Sequence, residues 1–169
     1  QYILTEQEAG VLLPYQDGRL AFMALLPAEG TDLTTYLETL DAARLTTLLA
    51  QAKSETLSLR MPKFKLMWKD SLAETMQALG LTNAFDPGLA DFTPMGTDEA
   101  GNALFLGALT HGAGIEVEEQ GTKAYAFSFG TKMGAAMPTN QLTLDRPFLY
   151  GIVDLERGVP LFIGAFEGP

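Results

Sequence analysis

The order of the apolar patterns along the chain constrains its fold more than any other feature. Strand-like runs come first, helical spacing follows over 31–52, and strand patterns then dominate the rest of the chain. The predicted strands are 2–4, 11–13, 20–26, 54–66, 104–117, 142–153 and 159–166. Because strands and helices are grouped rather than alternating one by one, a parallel βαβ sheet is disfavoured. We predict an α+β fold built on antiparallel sheets with a few short helices.

Turn residues divide the strand patterns. The residues 8–10, Glu-Ala-Gly, are predicted to form one turn, and Asp17-Gly18 is a typical hairpin signal. Pro27 is predicted to end the third strand. Pro62 interrupts the alternation of 54–66, and because proline donates no hydrogen bond we expect that strand to bend or change sheets there.

Three helices are predicted from apolar residues at i, i+3 and i+4. Their candidate N-caps are Thr31 or Asp32, Asp41, and Asp70 or Ser71. Gly80 is expected to stop the third helix, since glycine readily adopts the left-handed conformation that ends helices. A turn-rich stretch follows over 82–103.

Composition excludes several classes of function. The net charge of -10 argues against nucleic-acid binding, which needs clustered lysine and arginine. The 169 residues include no cysteine and one histidine, His111, so a thiolate or histidine-rich metal site is excluded and no cofactor is expected. The sequence contains neither a bilayer-spanning apolar run nor a signal peptide at its beginning.

The stretch 118–141 combines a strand pattern with a loop. If the strand begins at Gly121, one of its faces carries only small side chains, those of Thr122, Ala124, Ala126, Ser128 and Gly130. The other face carries Lys123, Tyr125, Phe127, Phe129 and Thr131. The tip at 134–138, Gly-Ala-Ala-Met-Pro, is typical of exposed, protease-sensitive segments. The pattern fits an ordinary strand followed by a surface loop, and it also fits a loop that can become an additional strand.

Several collinear motifs together resemble the serpins, a family of protease inhibitors that act by loop insertion. They are EEQGTKAYA (118–126), LDRPFLYGI (144–152), LRMPKFKL (59–66), LAETMQALGLTNAFDPGLADFTPM (72–95), FMALLP (22–27) and PLFIGAFEGP (160–169). His111 matches the family histidine on the strand before the hinge, in the region where the main sheet opens. We expect it to be a structural residue that forms hydrogen bonds in the core, as the resemblance also implies, and not a ligand or a base. The resemblance extends over essentially all of the chain and implies the C-terminal part of a single serpin domain, residues 1–169, with the reactive-centre loop at about 121–141.

The resemblance implies a suicide-substrate inhibitor rather than an enzyme. The implied hinge residues are Glu119, Gly121, Thr122, Ala124 and Ala126. The attacked bond would join Ala135 to Ala136 or Ala136 to Met137, depending on the end from which the loop is counted. Small side chains before the bond favour an elastase-like or subtilisin-like endopeptidase as the target. The family also suggests an extracellular or periplasmic location.

Two features leave alternatives open. Tyr125 and Phe127 stand where inhibitory relatives usually have alanine, so a non-inhibitory relative that serves as a binding or storage protein is the second hypothesis. The chain also begins well inside the family pattern, so the strands near 61–67 and 104–118 would lack neighbours. We therefore expect it to need an N-terminal half or self-association.

Overall fold

The computed structural model describes residues 1–119, 121–122, 125–126 and 140–168. The chain divides into two compact units, one formed by Gln1–Phe64 with Glu116–Pro169 and the other by Lys65–Ile115. The described strands are β1 Tyr2–Leu4, β2 Glu8–Pro14, β3 Leu20–Pro27, β4 Leu57–Arg60, β5 Phe64–Ser71, β6 Thr110–Glu118, β7 Gly121–Thr122, β8 Tyr125–Ala126, β9 Asn140–Thr143, β10 Phe148–Asp154 and β11 Val159–Phe166. The helices are α1 Leu33–Glu38, α2 Ala42–Gln51 and α3 Ala73–Ala78, with short 3₁₀ turns at Asn83–Phe85 and Thr93–Met95.

A five-stranded antiparallel sheet is the centre of the larger unit. Its order is β1-β2-β3-β10-β11, so the chain's first three strands are completed by its last two. β3 is almost wholly apolar, and seven of its eight residues are buried. This confirms the α+β prediction, because all strands of this sheet pair antiparallel and the short helices lie between groups of strands.

The first turn differs from the prediction. Glu8, Ala9 and Gly10 lie in β2 rather than in a turn. The reversal occurs instead at residues 5–7, where the Thr5 hydroxyl accepts hydrogen bonds from the backbone N–H groups of Gln7 and Glu8, both at 3.1 Å. Threonine often stabilises turns through such side-chain to backbone bonds, and this one displaces the turn towards the N-terminus.

The second turn agrees with the prediction. Asp17 Oδ1 accepts a hydrogen bond from the Arg19 backbone N–H at 3.1 Å, and Gly18 has a φ of 69°. Glycine adopts this left-handed conformation without the steric penalty that other residues incur. The hairpin then leads into β3, which ends at Pro27 as expected.

Both predicted helices of 31–52 form with aspartate caps. Asp32 accepts from the backbone N–H of Thr35 at 3.2 Å, and Asp41 accepts from that of Arg44 at 2.7 Å. Each bond satisfies an N–H group that has no partner within the helix. The buried faces of these helices pack on the sheet core, and their buried residues are Leu33, Tyr36, Leu45 and Leu48.

Pro62 separates two strands that belong to different sheets, as predicted. β4 pairs in parallel with β9, whereas β5 is a neighbour of β6. The predicted strand over 142–153 is wrong at its centre, because residues 144–147 separate β9 from β10. Leu144 N–H donates to the Arg60 carbonyl at 2.8 Å at the end of the β4–β9 ladder, and Pro147 has no N–H with which to extend a strand.

The smaller unit contains α3 and most of β5 and β6. The predicted caps Asp70 and Ser71 are wrong, since β5 continues through Ser71 and Leu72 precedes α3 without a side-chain capping bond. The predicted stop is confirmed, because Gly80 has a φ of 102° and Leu81 N–H donates to the Met76 carbonyl at 2.9 Å. The strand predicted from residue 104 begins only at Thr110.

Candidate functional site: the two ends of a loop

The N-terminal end of the 121–141 stretch is tied to the end of β6. Gly121 pairs with Glu118 and Thr122 with Val117 in an antiparallel ladder. β8 then folds back on β7, with Tyr125 opposite Thr122 and Ala126 opposite Gly121. The continuous strand predicted from Gly121 onward is therefore not formed at these residues, because β8 pairs with β7 instead of extending it.

An ion pair lies beside this end. Lys63 Nζ is 3.0 Å from Glu119 Oε1, and both side chains are exposed. An exposed pair of this kind contributes little stability, roughly 0–1 kcal/mol, because water and salt screen it. Its geometric effect is to tie the turn after β6 to the residue that follows Pro62.

The C-terminal end is held by the parallel pairing of β9 with β4, in which Leu59 faces Leu142. The side-chain amide of Asn140 donates a hydrogen bond to the carboxylate of Glu55. Leu142 and Leu144 are buried, so this end is packed as well as hydrogen bonded. Residues 55–63 therefore contact both ends of the loop.

The segment after β9 is anchored by Arg146. Its Nη2 donates to the carbonyl of Pro27 at 2.8 Å, and its Nε is buried without a hydrogen-bond partner among the described residues. Phe148 follows and is fully buried, with its ring centroid 4.9 Å from that of Phe166 and 6.1 Å from that of Phe64. The motif from Asp145 to Phe148 thus fixes the return of the chain into the core.

A cavity of about 300 Å³ lies at the start of β9. It is lined by Tyr2, Leu4, Gln51, Lys53, Glu55 and Asn140. Burial raises the pKa of Tyr2, and the charge of Glu55 raises it further. Tyr2 is therefore a neutral hydroxyl at physiological pH.

The predicted site residues fall into three groups. Glu119 is exposed and paired with Lys63. Gly121, Thr122 and Ala126 are described only as backbone in β7 and β8. The remaining hinge and bait residues lie outside the described residues, and they are Ala124, Ala135, Ala136 and Met137.

His111 occupies β6, as predicted, but its side chain is exposed instead of forming hydrogen bonds in a core. Its ring centroid lies 5.7 Å from that of Trp68, which is itself half exposed.

Sequence reasoning missed the residues that hold the two loop ends. Lys63 and Glu55 were not identified, and neither was the Pro27 carbonyl that accepts from Arg146. The opposite charges of Lys63 and Glu119 were a visible signal, but the sequence alone does not indicate which distant residues pair.

The described part of the chain has no group of three or more histidine, aspartate or glutamate side chains that could hold a metal ion. None of its helices has the length and apolar character needed to cross a membrane.

Comparisons with known proteins agree on one family. The family model described as Serpin (serine protease inhibitor) matches residues 2–169. Serpin B10 from Bos taurus is 31% identical over 99% of the chain, and the leukocyte elastase inhibitor from Xenopus laevis is 30% identical over 93% of it. The chain spans 42% of the length of each of these relatives.

Solved structures give the same result. The thermophilic serpin tengpin in its native state is similar with a TM-score of 0.84 and 34% identity, covering 99% of this chain and 44% of that one. The latent state of tengpin is similar with a TM-score of 0.74 and 30% identity, with the same coverage of both chains. The similarity therefore extends to the fold as well as to the sequence.

Proposed function

The chain belongs to the serpin family, and we propose that residues 1–169 are the C-terminal part of a single serpin domain whose reactive-centre loop is about 121–141. The motif order along the chain supports this assignment, as does the coverage of 42% of the relatives' length. The two anchored ends on either side of 121–141 are what an exposed bait loop requires.

The domain containing this chain is proposed to act as a suicide-substrate inhibitor and not as an enzyme. Its proposed targets are serine endopeptidases, with cysteine endopeptidases as the second candidate class. The protease's nucleophilic oxygen or sulfur attacks the carbonyl carbon of the bait bond, the peptide C–N bond breaks, and the new amine leaves with a proton from the protease's histidine. The loop segment from Thr122 onward then enters the main sheet as a strand before water can cleave the acyl-enzyme.

The observation that carries this proposal is the β6–β7 pairing. Gly121 and Thr122 already pair antiparallel with the end of β6, so the first two pairs of an added strand exist before any cleavage. Val117, opposite Thr122, is buried. A small side chain at 122 is what such a position accommodates.

The bait is proposed to be the bond between Ala135 and Ala136 or between Ala136 and Met137. Small residues at this point suit an elastase-like or subtilisin-like target, because such enzymes have shallow or apolar specificity pockets. One relative is named a leukocyte elastase inhibitor, which agrees with this choice. The family suggests that the protein is extracellular or periplasmic.

A direct test is to incubate the serpin domain that contains this chain with elastase, subtilisin and chymotrypsin. We expect a covalent complex that survives boiling in detergent with elastase or subtilisin. Cleavage without such a complex by all three enzymes would contradict inhibition and favour the second hypothesis.

Substitution at the hinge tests insertion itself. Thr122→Arg should reduce the yield of stable complex by about tenfold or more, because an unpaired charge would be buried next to Val117. Lys123→Arg, which retains its charge at the neighbouring position, is the matched control and should leave the yield unchanged. The yield of complex is measured by gel densitometry. Equal yields for wild type and Thr122→Arg would refute the insertion mechanism.

The second hypothesis is a non-inhibitory serpin relative with a binding or storage role. The observation in its favour is the presence of Tyr125 and Phe127 in a segment where inhibitory relatives usually have alanine. Such a protein would be cut as a substrate and would be indifferent to Thr122→Arg.

The proposed partner within the protein is the N-terminal half of the serpin domain, with self-association as the alternative. Large apolar side chains of the smaller unit are exposed, namely Met67, Leu79, Leu81, Leu89, Met95 and Phe105. Exposed apolar surface of this extent is typical of a face that another segment covers. A dilute sample of the chain that ran as a compact, stable monomer would refute the need for a partner.

A further inference from the structure

The cavity at the start of β9 contains two opposite charges that do not pair with each other. Its volume is about 300 Å³, and all of its lining residues belong to the larger unit. Lys53 and Glu55 both line it. Among the described residues, neither of them forms an ion pair, with the other or with any third group. Both charges are therefore available to a ligand.

The backbone holds these two charges in place. Tyr2 N–H donates to the Lys53 carbonyl at 2.8 Å, and Lys53 N–H donates to the Tyr2 carbonyl at 2.9 Å. The Glu55 carboxylate accepts a hydrogen bond from the side-chain amide of Asn140, which itself pairs with Leu57 in the β4–β9 ladder. The cavity is thus formed before any ligand arrives, which lowers the entropic cost of binding.

Neutral polar groups complete the cavity. Tyr2 is 9% exposed, and the charge of Glu55 adds to the effect of burial in raising the pKa of its hydroxyl. The hydroxyl therefore lies close enough to the carboxylate to respond to its charge, and it remains protonated as a donor. Gln51, the last residue of α2, supplies an amide that can both donate and accept.

This set of groups suits a small molecule that carries both an ammonium and a carboxylate group. The Lys53 ammonium can donate to a carboxylate. The Glu55 carboxylate has about four acceptor positions, and Asn140 uses one of them, so it can also accept from an ammonium. A ligand with a single charge would be attracted by one of the two side chains and repelled by the other. The volume is at the lower limit for ligand sites, which restricts the ligand to about the size of an amino acid.

We propose that this cavity binds a small zwitterion of the amino-acid class, with its carboxylate at Lys53 and its ammonium at Glu55. The Tyr2 hydroxyl and the Gln51 amide orient the molecule between the two charges. Asn140 is the first residue of β9, so the bound molecule lies at the C-terminal end of 121–141. The proposal does not depend on the inhibitory function, because binding requires neither cutting nor insertion of a loop.

The test measures the binding of 4-aminobutyrate to the serpin domain that contains this chain, by saturation-transfer NMR. Butyrate lacks the ammonium group and butylamine lacks the carboxylate, so these two compounds are the matched ligand controls. We expect 4-aminobutyrate to bind with a roughly millimolar Kd. Each control should bind about fivefold or more weakly, because it loses one charge-assisted hydrogen bond and retains one repulsion.

Two substitutions test the charges one at a time. Lys53→Gln should raise the Kd of 4-aminobutyrate about fivefold without weakening butylamine, which interacts only with Glu55. Glu55→Gln should raise the Kd of 4-aminobutyrate similarly without weakening butyrate. Lys69→Gln removes an exposed lysine of the smaller unit and should leave the Kd unchanged. Because all three side chains are exposed, the variants should fold, and a melting curve of each one checks this.

The possible outcomes decide the proposal separately from the inhibitory function. No binding at concentrations up to tens of millimolar, or binding no tighter than that of both controls, would overturn the zwitterion site. An equal Kd for wild type and Lys53→Gln, or for wild type and Glu55→Gln, would also overturn it, because the ligand would then bind elsewhere. Failure to form a stable complex with a protease would contradict inhibition and leave the binding result unaffected.

Discussion

The larger and smaller units contain similar apolar residues, but the exposed fraction of these side chains differs greatly between the two units. In the larger unit, Phe22, Met23 and Phe148 are almost completely buried. Met23 lies in the cluster that the helices cover, and Phe148 packs against the ring of Phe166. In the smaller unit, Met67, Leu79 and Met95 are each more than three quarters exposed. Within one chain, therefore, one unit holds a finished core and the other presents apolar surface that has no cover among its own residues.

The difference shows which residues complete the packing of each unit. The larger unit is completed by residues within this chain, since β10 pairs with β3 although more than 100 residues separate them. The smaller unit has short helices and one pair of long strands, and such a unit cannot bury both of its faces alone. Its apolar residues are therefore expected to obtain their burial from outside this sequence.

The largest effect on stability is expected from truncating a buried aromatic side chain in the core of the larger unit. Phe148→Ala should lower the free energy of unfolding of the serpin domain by about 3–5 kcal/mol, because a fully buried ring is lost and its cavity closes only partly. Denaturant titration followed by circular dichroism measures this change.

Leu79→Ala is the companion variant, because it truncates a side chain that is 78% exposed in this chain. If the rest of the domain covers Leu79, the loss should exceed the roughly 0.5 kcal/mol usual for an exposed surface position. A loss within that limit would show that the surface stays open, and the contrast between the units would then be intrinsic.

A pH titration is expected to have an intermediate effect on the larger unit. Hydrogen bonds from Arg19 at 2.7 and 3.0 Å lower the pKa of the Asp154 carboxyl below its usual value of 3.8, and backbone N–H groups of Arg157 and Glu156 add to this against the effect of burial. Because the folded pKa is the lower one, this carboxylate stabilises the fold above pH 3.8 and ceases to do so as the pH falls through the folded value.

Asp154→Asn should therefore lower the melting temperature by several degrees at pH 7, with a difference from wild type that narrows towards pH 2. Asp32→Asn is the control, since asparagine caps a helix as well as aspartate does. A difference for Asp154→Asn that stayed constant from pH 7 to pH 2 would show that its charge is not the cause.

The smallest effect is expected at the loop. Lys63→Gln removes the ion pair with Glu119 and should change the free energy of unfolding by less than about 1 kcal/mol, since both groups are exposed. The change should shrink in high salt. A larger, salt-independent effect would show that this pair is buried in the complete domain.

Local chemistry explains why much of the larger unit could be predicted from the sequence. Asp32, Asp41 and the Asp17-Gly18 turn act on neighbours within three residues, so their roles are visible in short stretches. The prediction of a turn at 8–10 failed because the Thr5 hydroxyl binds the backbone N–H groups of Gln7 and Glu8, and these bonds place the turn at residues 5–7. The split between β9 and β10 was missed because β9 pairs with β4, more than 80 residues away, whereas β10 pairs with β3 and β11.

The sequence predicts the position of the proposed reactive-centre loop from short, local motifs around Gly121 and Arg146. It does not predict the distant residues that contact the two ends of 121–141. Contacts such as Lys63 with Glu119 and Glu55 with Asn140 join residues far apart in the sequence, and many charged residues could have been their partners.

Residues 55–63 contact both loop ends, with Glu55 at one and Lys63 at the other. Both contacts therefore come from one stretch that lies outside 121–141. If 121–141 is the reactive-centre loop that we propose, substitutions at its tip can change the target protease without disturbing these contacts, whereas a substitution in 55–63 would change how every such tip is presented.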